Sequence, residues 1–289
     1  MRIASVSDLH LDHAANRELM PALAAEIHRY GADLVVIAGD VSHLEVWIER
    51  AIRSFQVVAP RVAYVPGNHD LWQAPEQLER GANTWARYRD DLRALVTDLG
   101  AAYLPSEPLR LGTVAVAGTC GWYDYGFMLP EHRELMTPER GRTKRWERYQ
   151  WSDANFVAFR GSNGDIMSDH DVVEVMLAEL AAQLEALQED VEVEQIFVAT
   201  HHLPFDELVL RSGTLPWEFF NAFMGSPRLG ALLSEYSKVR SVVYGHTHRG
   251  RQLQRGNMVV MGTPLGYPRE RADLSREEVI ASRIGWWDL

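Results

Sequence analysis

Five short segments carry donor side chains at the ends of apolar, β-branched runs: Asp8-Leu9-His10, Gly39-Asp40, Gly67-Asn68-His69-Asp70, Thr200-His201-His202-Leu203-Pro204 and Gly245-His246-Thr247-His248. Asp8 and Asp40 offer anionic oxygen, Asn68 a neutral carbonyl oxygen, and His10, His201, His246 and His248 ring nitrogen. A mixed nitrogen and oxygen set without thiolate suits Mn, Fe, Zn, Co or Ni better than Ca or a structural zinc. Two such ions side by side suit hydrolysis of a phosphate ester. In extended chain, residues i and i+2 point to one side, so Asp-x-His and His-x-His can each face one pocket. Glycine before Asp40, Asn68 and His246 permits a sharp turn and close backbone approach. Each piece alone is a weak signal. Five in one chain, each where a strand runs out, make a strong one.

Those donors need strands to carry them. Residues 3–6, 33–38 and 62–65 read as strands, and residues 16–30, 44–58 and 84–99 as helices between and after them. This alternation predicts an α/β domain with a partly parallel sheet. Residues 109–118 read as a strand pair turning at Gly112. Residues 196–200, 241–244, 251–254 and 258–261 add further strands, with a tight hairpin at Gly256-Asn257. Residues 171–189 form an amphipathic helix with Val173, Met176, Leu177, Leu180, Leu184 and Leu187 on one face and Asp169 or Asp171 as its N-cap. Residues 121–171 lack periodicity and are rich in Trp, Tyr, Arg and Gly. They read as an insertion or cap on a single domain spanning 1–289.

The net charge of -11 gives no electrostatic footprint for general nucleic-acid binding, so nucleic acid is an unfavoured partner. It leaves room for a small phosphorylated substrate, because bound cations reverse the local field. The one cysteine, Cys120, excludes an internal disulfide and reads as a buried hydrophobe. No leader-like run precedes the first strand and no apolar run is long enough for a bilayer. The expectation is therefore a soluble cytoplasmic protein without a membrane partner.

In its motifs the chain resembles the calcineurin-like metallophosphoesterase superfamily, whose pattern is D-x-H, GD, GNHD or GNHE, a histidine after a strand, and GHxH. All five blocks are present in order from Asp8 to His248. The resemblance implies a four-layer α-β-β-α sandwich with two divalent metal ions (Mn, Fe, Zn or similar) at the strand ends. It implies that Asp8, His10 and His248 bind one ion, that Asn68, His201 and His246 bind the other, and that Asp40 bridges them. His202 is the alternative to His201. His69 is then no ligand: it meets the substrate phosphate or protonates the leaving oxygen, with Asp70 behind it holding its ring. Hydrolysis would proceed by attack of a hydroxide held between the metals.

The segment Gly39-Asp40-Val41-Ser42-His43 lacks the Asp-Arg-Gly that follows GD in the phosphoprotein phosphatases, and GNHD stands in place of GNHE. The set is closer to the bacterial phosphodiesterase-like branch, although His201-His202-Leu203-Pro204 departs from its usual HHPP. A small phosphodiester is the favoured substrate. A phosphomonoester, a Mn-dependent nuclease and a non-catalytic scaffold are the alternatives. His43 reads as a surface residue or a phosphate contact at the rim. The basic group Arg142, Lys144, Arg145 and Arg148 reads as a solvated face. The aromatics Trp122, Tyr123, Tyr125, Trp146, Tyr149 and Trp151, with Asp124 and Asp153 beside them, either anchor the cap or stack on substrate. Trp217, Phe219 and Phe220 read as core or cap packing, and residues 262–268 as pocket wall.

Overall fold

The computed structural model describes all 289 residues. Its centre is two β-sheets packed face to face. The first holds β1 (Arg2–Val6), β2 (Leu34–Ala38), β3 (Val62–Val65), β4 (Ala102–Tyr103) and the last strand of the chain, Gly285–Asp288, in the order last-β1-β2-β3-β4. β1 to β4 run parallel and the last strand pairs antiparallel with β1. The second sheet holds β5 (Leu109–Leu111), β6 (Val114–Thr119), β7 (Gln195–Thr200), β8 (Val239–Tyr244), β9 (Gln252–Arg255) and β10 (Met258–Gly262). Its order is β9-β10-β8-β7-β6-β5, with four parallel strands inside and an antiparallel hairpin strand at each edge.

Both faces of the inner strands are apolar, as strands covered on two sides require. Along β2, Leu34, Val36 and Ala38 face the other sheet and meet Val116, Phe197, Ala199 and Val243. Val35 and Ile37 face outward under the helices Met20–Tyr30 and Glu45–Gln56. The helix Asp169–Glu189 covers the outer face of the second sheet with Val173, Met176, Leu180 and Leu184 buried. Helix, sheet, sheet and helix make the expected four layers. No helix is long and apolar enough to cross a membrane.

Three local readings change. Ser168, not Asp169 or Asp171, caps the long helix: its side chain accepts the N–H of Asp171, and Asp169 lies inside the first turn. The 84–99 helix is interrupted by a π-helical turn at Arg87–Asp91. That turn lets buried Arg87 donate to the carbonyls of Asp70 and His43. Residues 16–30 break into Ala14–Arg17 and Met20–Tyr30, with Pro21 in the first turn of the second, where a missing N–H costs nothing. The chain end Gly285–Asp288 is a strand with Trp287 buried between the sheets.

Because β1, β2 and β3 are parallel, the loops after them leave at one end of the first sheet. The loops after β7 and β8 leave the second sheet beside them: His246 donates its N–H to Asp8 Oδ1, and His201 Nδ1 lies 3.0 Å from the Ala38 carbonyl. All five motif segments therefore share one end of the sandwich, where parallel sheets expose their ligand-binding crevices.

Candidate metal centre

Two groups of donor atoms converge there. Asp8, His10, Asp40 and His248 form one; Asp40, His201 and His246 form the other; within each, the donor atoms lie within 4.8 Å of one another. Asn68 joins the second group, its Oδ1 3.2 Å from His201 Nε2 and 3.1 Å from His246 Nδ1. Asp40 faces both, with Oδ1 3.4 Å from His201 Nε2 and Oδ2 3.8 Å from His10 Nε2. The seven residues nominated from sequence as metal ligands are thus brought together.

The backbone does this by a route the sequence reading did not foresee. Asp8, His10, Asp40, His246 and His248 all have positive φ, at 52°, 40°, 55°, 75° and 52°. They lie beyond the strands in left-handed turns, so the D-x-H and H-x-H pairs converge through turn geometry and not through extended chain. Each such residue costs on the order of 1–3 kcal/mol, which surrounding structure must offset. Glycine makes the crowding possible. A Cβ on Gly67 would lie 2.1 Å from Asp40 Oδ1, and one on Gly39 would lie 2.5 Å from His201 Nδ1.

Hydrogen bonds fix which atom each donor presents. His201 Nδ1 lies 3.0 Å from the Ala38 carbonyl and His246 Nε2 lies 3.1 Å from the Phe223 carbonyl. Carbonyls accept only, so these nitrogens carry the protons, and His201 Nε2 and His246 Nδ1 turn lone pairs inward. Asn68 donates its amide to Asp153 at 2.9 Å, which turns its carbonyl oxygen inward as well. His248 Nδ1 lies 2.8 Å from Glu270 Oε2, leaving Nε2 free toward His10 Nε2, 2.8 Å away, and Asp8. Asp8 is held in turn by the N–H of His246 and the hydroxyl of Ser7. Lone pairs facing one another at such distances repel. A cation between them removes the conflict, so the residues present fit divalent metal.

Protons compete for the same place. Burial disfavours charge on His201, but the Asp40 carboxylate outweighs it and lifts the imidazole to about 9. Burial alone would raise the Asp40 carboxyl; the rings of His201, His69 and His10 hold it well below the usual range. Burial drives His246 and His10 well below the ordinary histidine value.

His69 is not among the converging donors. Its Nε2 lies 4.0 Å from Asp40 Oδ2, its ring is partly open to the cavity, and it stacks on Trp72 with centroids 3.7 Å apart. Burial lowers its proton affinity, against the pull of Asp40 and Asp153. Asp70 does not hold the His69 ring, as sequence suggested. Its Oδ1 accepts the N–H groups of Val41 and Ser42, and its Oδ2 those of Asp40 and Gly67, all at 2.8 Å. Asp70 ties the loop after β2 to the loop after β3. Burial and the nearby Asp40 raise its carboxyl to about 6, against those backbone donors. His202, the alternative to His201, packs behind the centre against Trp122 and Tyr123, and burial beside His201 pushes it down to about 3. His43 is exposed.

A cavity of about 300 Å³ opens over the donors. Asp40, Asn68, His69, His246 and His248 line its floor; Trp72, Trp151, Leu210, Trp217, Phe220 and Met224 line its wall. Phe219 is core as expected, but Trp217 and Phe220 are wall. Of the basic group, Arg142 and Lys144 line a separate cavity of about 540 Å³. Tyr267, from the 262–268 loop, stacks on His10 at 4.5 Å. Sequence reasoning missed Trp72 and Glu270. Neither sits in a motif, although Glu270 follows the wall loop closely enough to have been considered.

The model of the calcineurin-like phosphoesterase family matches residues 1–250, and the chain belongs to that family. It is a metallophosphoesterase, a hydrolase of phosphoric esters. The acyl-carrier-protein phosphodiesterase PptH of Mycobacterium tuberculosis is 24% identical to it over 282 residues, 92% of this chain and 78% of the relative. The crystal structure of phosphopantetheinyl hydrolase (PptH) from Mycobacterium tuberculosis superposes with a TM-score of 0.76 at 21% identity, covering 96% of this chain and 93% of that one. A dimetal phosphatase from Danio rerio aligns with a TM-score of 0.48 at 15% identity, over 91% of this chain and 86% of that one.

Proposed function

We propose that this protein is a binuclear metal phosphodiesterase acting on a diester with one long, flexible arm, of the kind named by the mycobacterial relative: a phosphopantetheinyl group on a carrier protein. The observation that carries the reading is the cavity, with metal donors on its floor and an aromatic wall beside them. A phosphate on the floor would leave the wall to an extended arm, with the other ester group toward the mouth. A substrate of this kind replaces the small phosphodiester expected from sequence alone. Residues 1–289 are read as one domain, with 121–171 as the cap that supplies part of the wall.

In this reading Asp8, His10 and His248 hold one divalent ion, Asn68, His201 and His246 the other, and Asp40 both. When bound, the two ions supply Lewis acidity toward the phosphoryl oxygens and acidify the attacking water. The protein's part is to aim and to exclude. The Ala38 and Phe223 carbonyls keep His201 and His246 in one tautomer. Stacking on Trp72 holds the His69 ring at the cavity edge, where it can place a proton at the leaving oxygen. The indoles and Met224 keep bulk water from the arm.

The test is hydrolysis on metal-stripped protein resupplied with Mn²⁺. Bis(p-nitrophenyl) phosphate, p-nitrophenyl phosphate and a phosphopantetheinylated carrier protein would be compared. Diester turnover well above monoester, with release of the arm from the carrier, is the expected result. Monoester preference would overturn the diesterase reading. Diester turnover without carrier cleavage would overturn the substrate.

A further inference from the structure

Asp153 lies in the 121–171 segment, outside every motif, and is fully buried. A carboxylate in a dry interior is costly unless its oxygens are hydrogen-bonded. Here four donors meet it. Oδ1 accepts from the Asn68 amide at 2.9 Å and the Trp72 indole at 2.7 Å. Oδ2 accepts from the Tyr123 hydroxyl at 2.9 Å and the Trp151 indole at 2.8 Å. Three of these four belong to the functional site. Asn68 is a metal-donor residue, while Trp72 and Trp151 are two walls of the cavity. Trp72 also stacks on His69, and Trp151 stacks on Phe223 at 5.5 Å and meets the His246 ring edge-on at 5.6 Å.

We propose that Asp153 is a positioning residue that sets the amide orientation of Asn68 toward the second metal and the placement of the two indoles that wall the pocket. An amide can present either its oxygen or its nitrogen. Only an acceptor behind the Asn68 nitrogen forces the oxygen inward, and Asp153 is that acceptor. An indole N–H can only donate, so two indoles aimed at one carboxylate are locked in rotation about their side-chain bonds. One carboxylate therefore links the floor of the site to its wall. Asp153→Leu removes every acceptor with little change of shape, and leaves the Asn68 nitrogen and both indoles without a partner.

The inference about Asn68 rests on the two-metal reading, and the experiment separates the two. Metal-stripped wild type and Asp153→Leu would be titrated calorimetrically with Mn²⁺, with thermal unfolding recorded in parallel. Wild type should show two binding events. Asp153→Leu should keep the first and weaken the second by about 10–100-fold, the range for residues that orient ligands. Two unchanged events in the variant overturn the proposal. A single event in wild type overturns the two-metal reading instead. Should Asp153→Leu fail to fold, Trp151→Phe forms the milder arm, since it keeps a ring and loses only the bond to Asp153. KM for bis(p-nitrophenyl) phosphate should rise about 2–12-fold, the worth of one hydrogen bond. An unchanged KM overturns the proposal.

Discussion

The group built on Asp8, His10 and His248 and the group built on Asn68, His201 and His246 are closed to solvent alike, the first meeting the cavity through His248 and the second through Asn68 and His246. They are braced differently. His248 leans on a carboxylate, Glu270, which accepts from the Tyr267 N–H as well. His201 and His246 lean on backbone carbonyls that belong to the fold itself. A carboxylate partner makes a ring a stronger base toward metal than a neutral carbonyl does. The first position is thus tuned by a side chain that can be changed alone. The second is held by the sandwich, with Asp153 behind Asn68. The two donor groups are braced by separate means, and only Asp40 is common to both.

Breaking the shared element should have the largest consequence. Asp40→Asn should weaken both Mn²⁺ binding events by more than the about 100-fold upper range for outer residues. Turnover should fall with them; calorimetry on the stripped variant reads this directly, and two intact events would refute the bridge. Next in size, His69→Ala should retain both events and lose about 10²–10⁴-fold in kcat on the diester, as expected for removal of proton transfer to a leaving group. Equal loss of metal and turnover would make His69 part of the metal cage. Glu270→Gln should sharpen the contrast: the first event weakens about 10-fold, the low end of the outer-residue range, while the second is untouched. If both fall together, the two positions are not independently tuned. The smallest effect belongs to the wall. Trp217→Ala should raise KM for a long-armed diester about 2–12-fold and leave both metal events unchanged. An equal loss on bis(p-nitrophenyl) phosphate would mean that Trp217 shapes the floor as well.

Much of this arrangement was legible in the chain. Runs such as Leu34-Val35-Val36-Ile37 announce a strand covered on both faces, and the glycine and donor residues that follow announce where it ends. The donor set could be assembled because metal chemistry restricts residue types severely. Asp70 departs from the role that the resemblance implies for a physical reason: acceptors for backbone N–H groups leave no signature in spacing, so nothing in the chain sets its four backbone partners against a place behind the His69 ring. Trp72, Trp217 and Phe220 illustrate the same limit. An aromatic on a cavity wall and an aromatic in the core have the same composition signal, and only the packing of the 121–171 segment and the Leu215–Asn221 helix separates them. Asp153 stood among the aromatics of that segment, yet nothing in sequence ties it to Asn68, 85 residues away.

The left-handed turns at Asp8, His10, Asp40, His246 and His248 have a further consequence. Aspartate, histidine and asparagine enter this conformation several times more often than other residues that carry a Cβ. The alphabet of turn formers and the alphabet of hard-metal ligands overlap, so one choice of residue satisfies both demands. Substitution at these positions can therefore be factored. Asp8→Gly keeps the turn and deletes the donor, whereas Asp8→Ala deletes the donor and strains the turn. The gap in melting temperature between the two metal-free variants would report how much of the cost of each position is conformational.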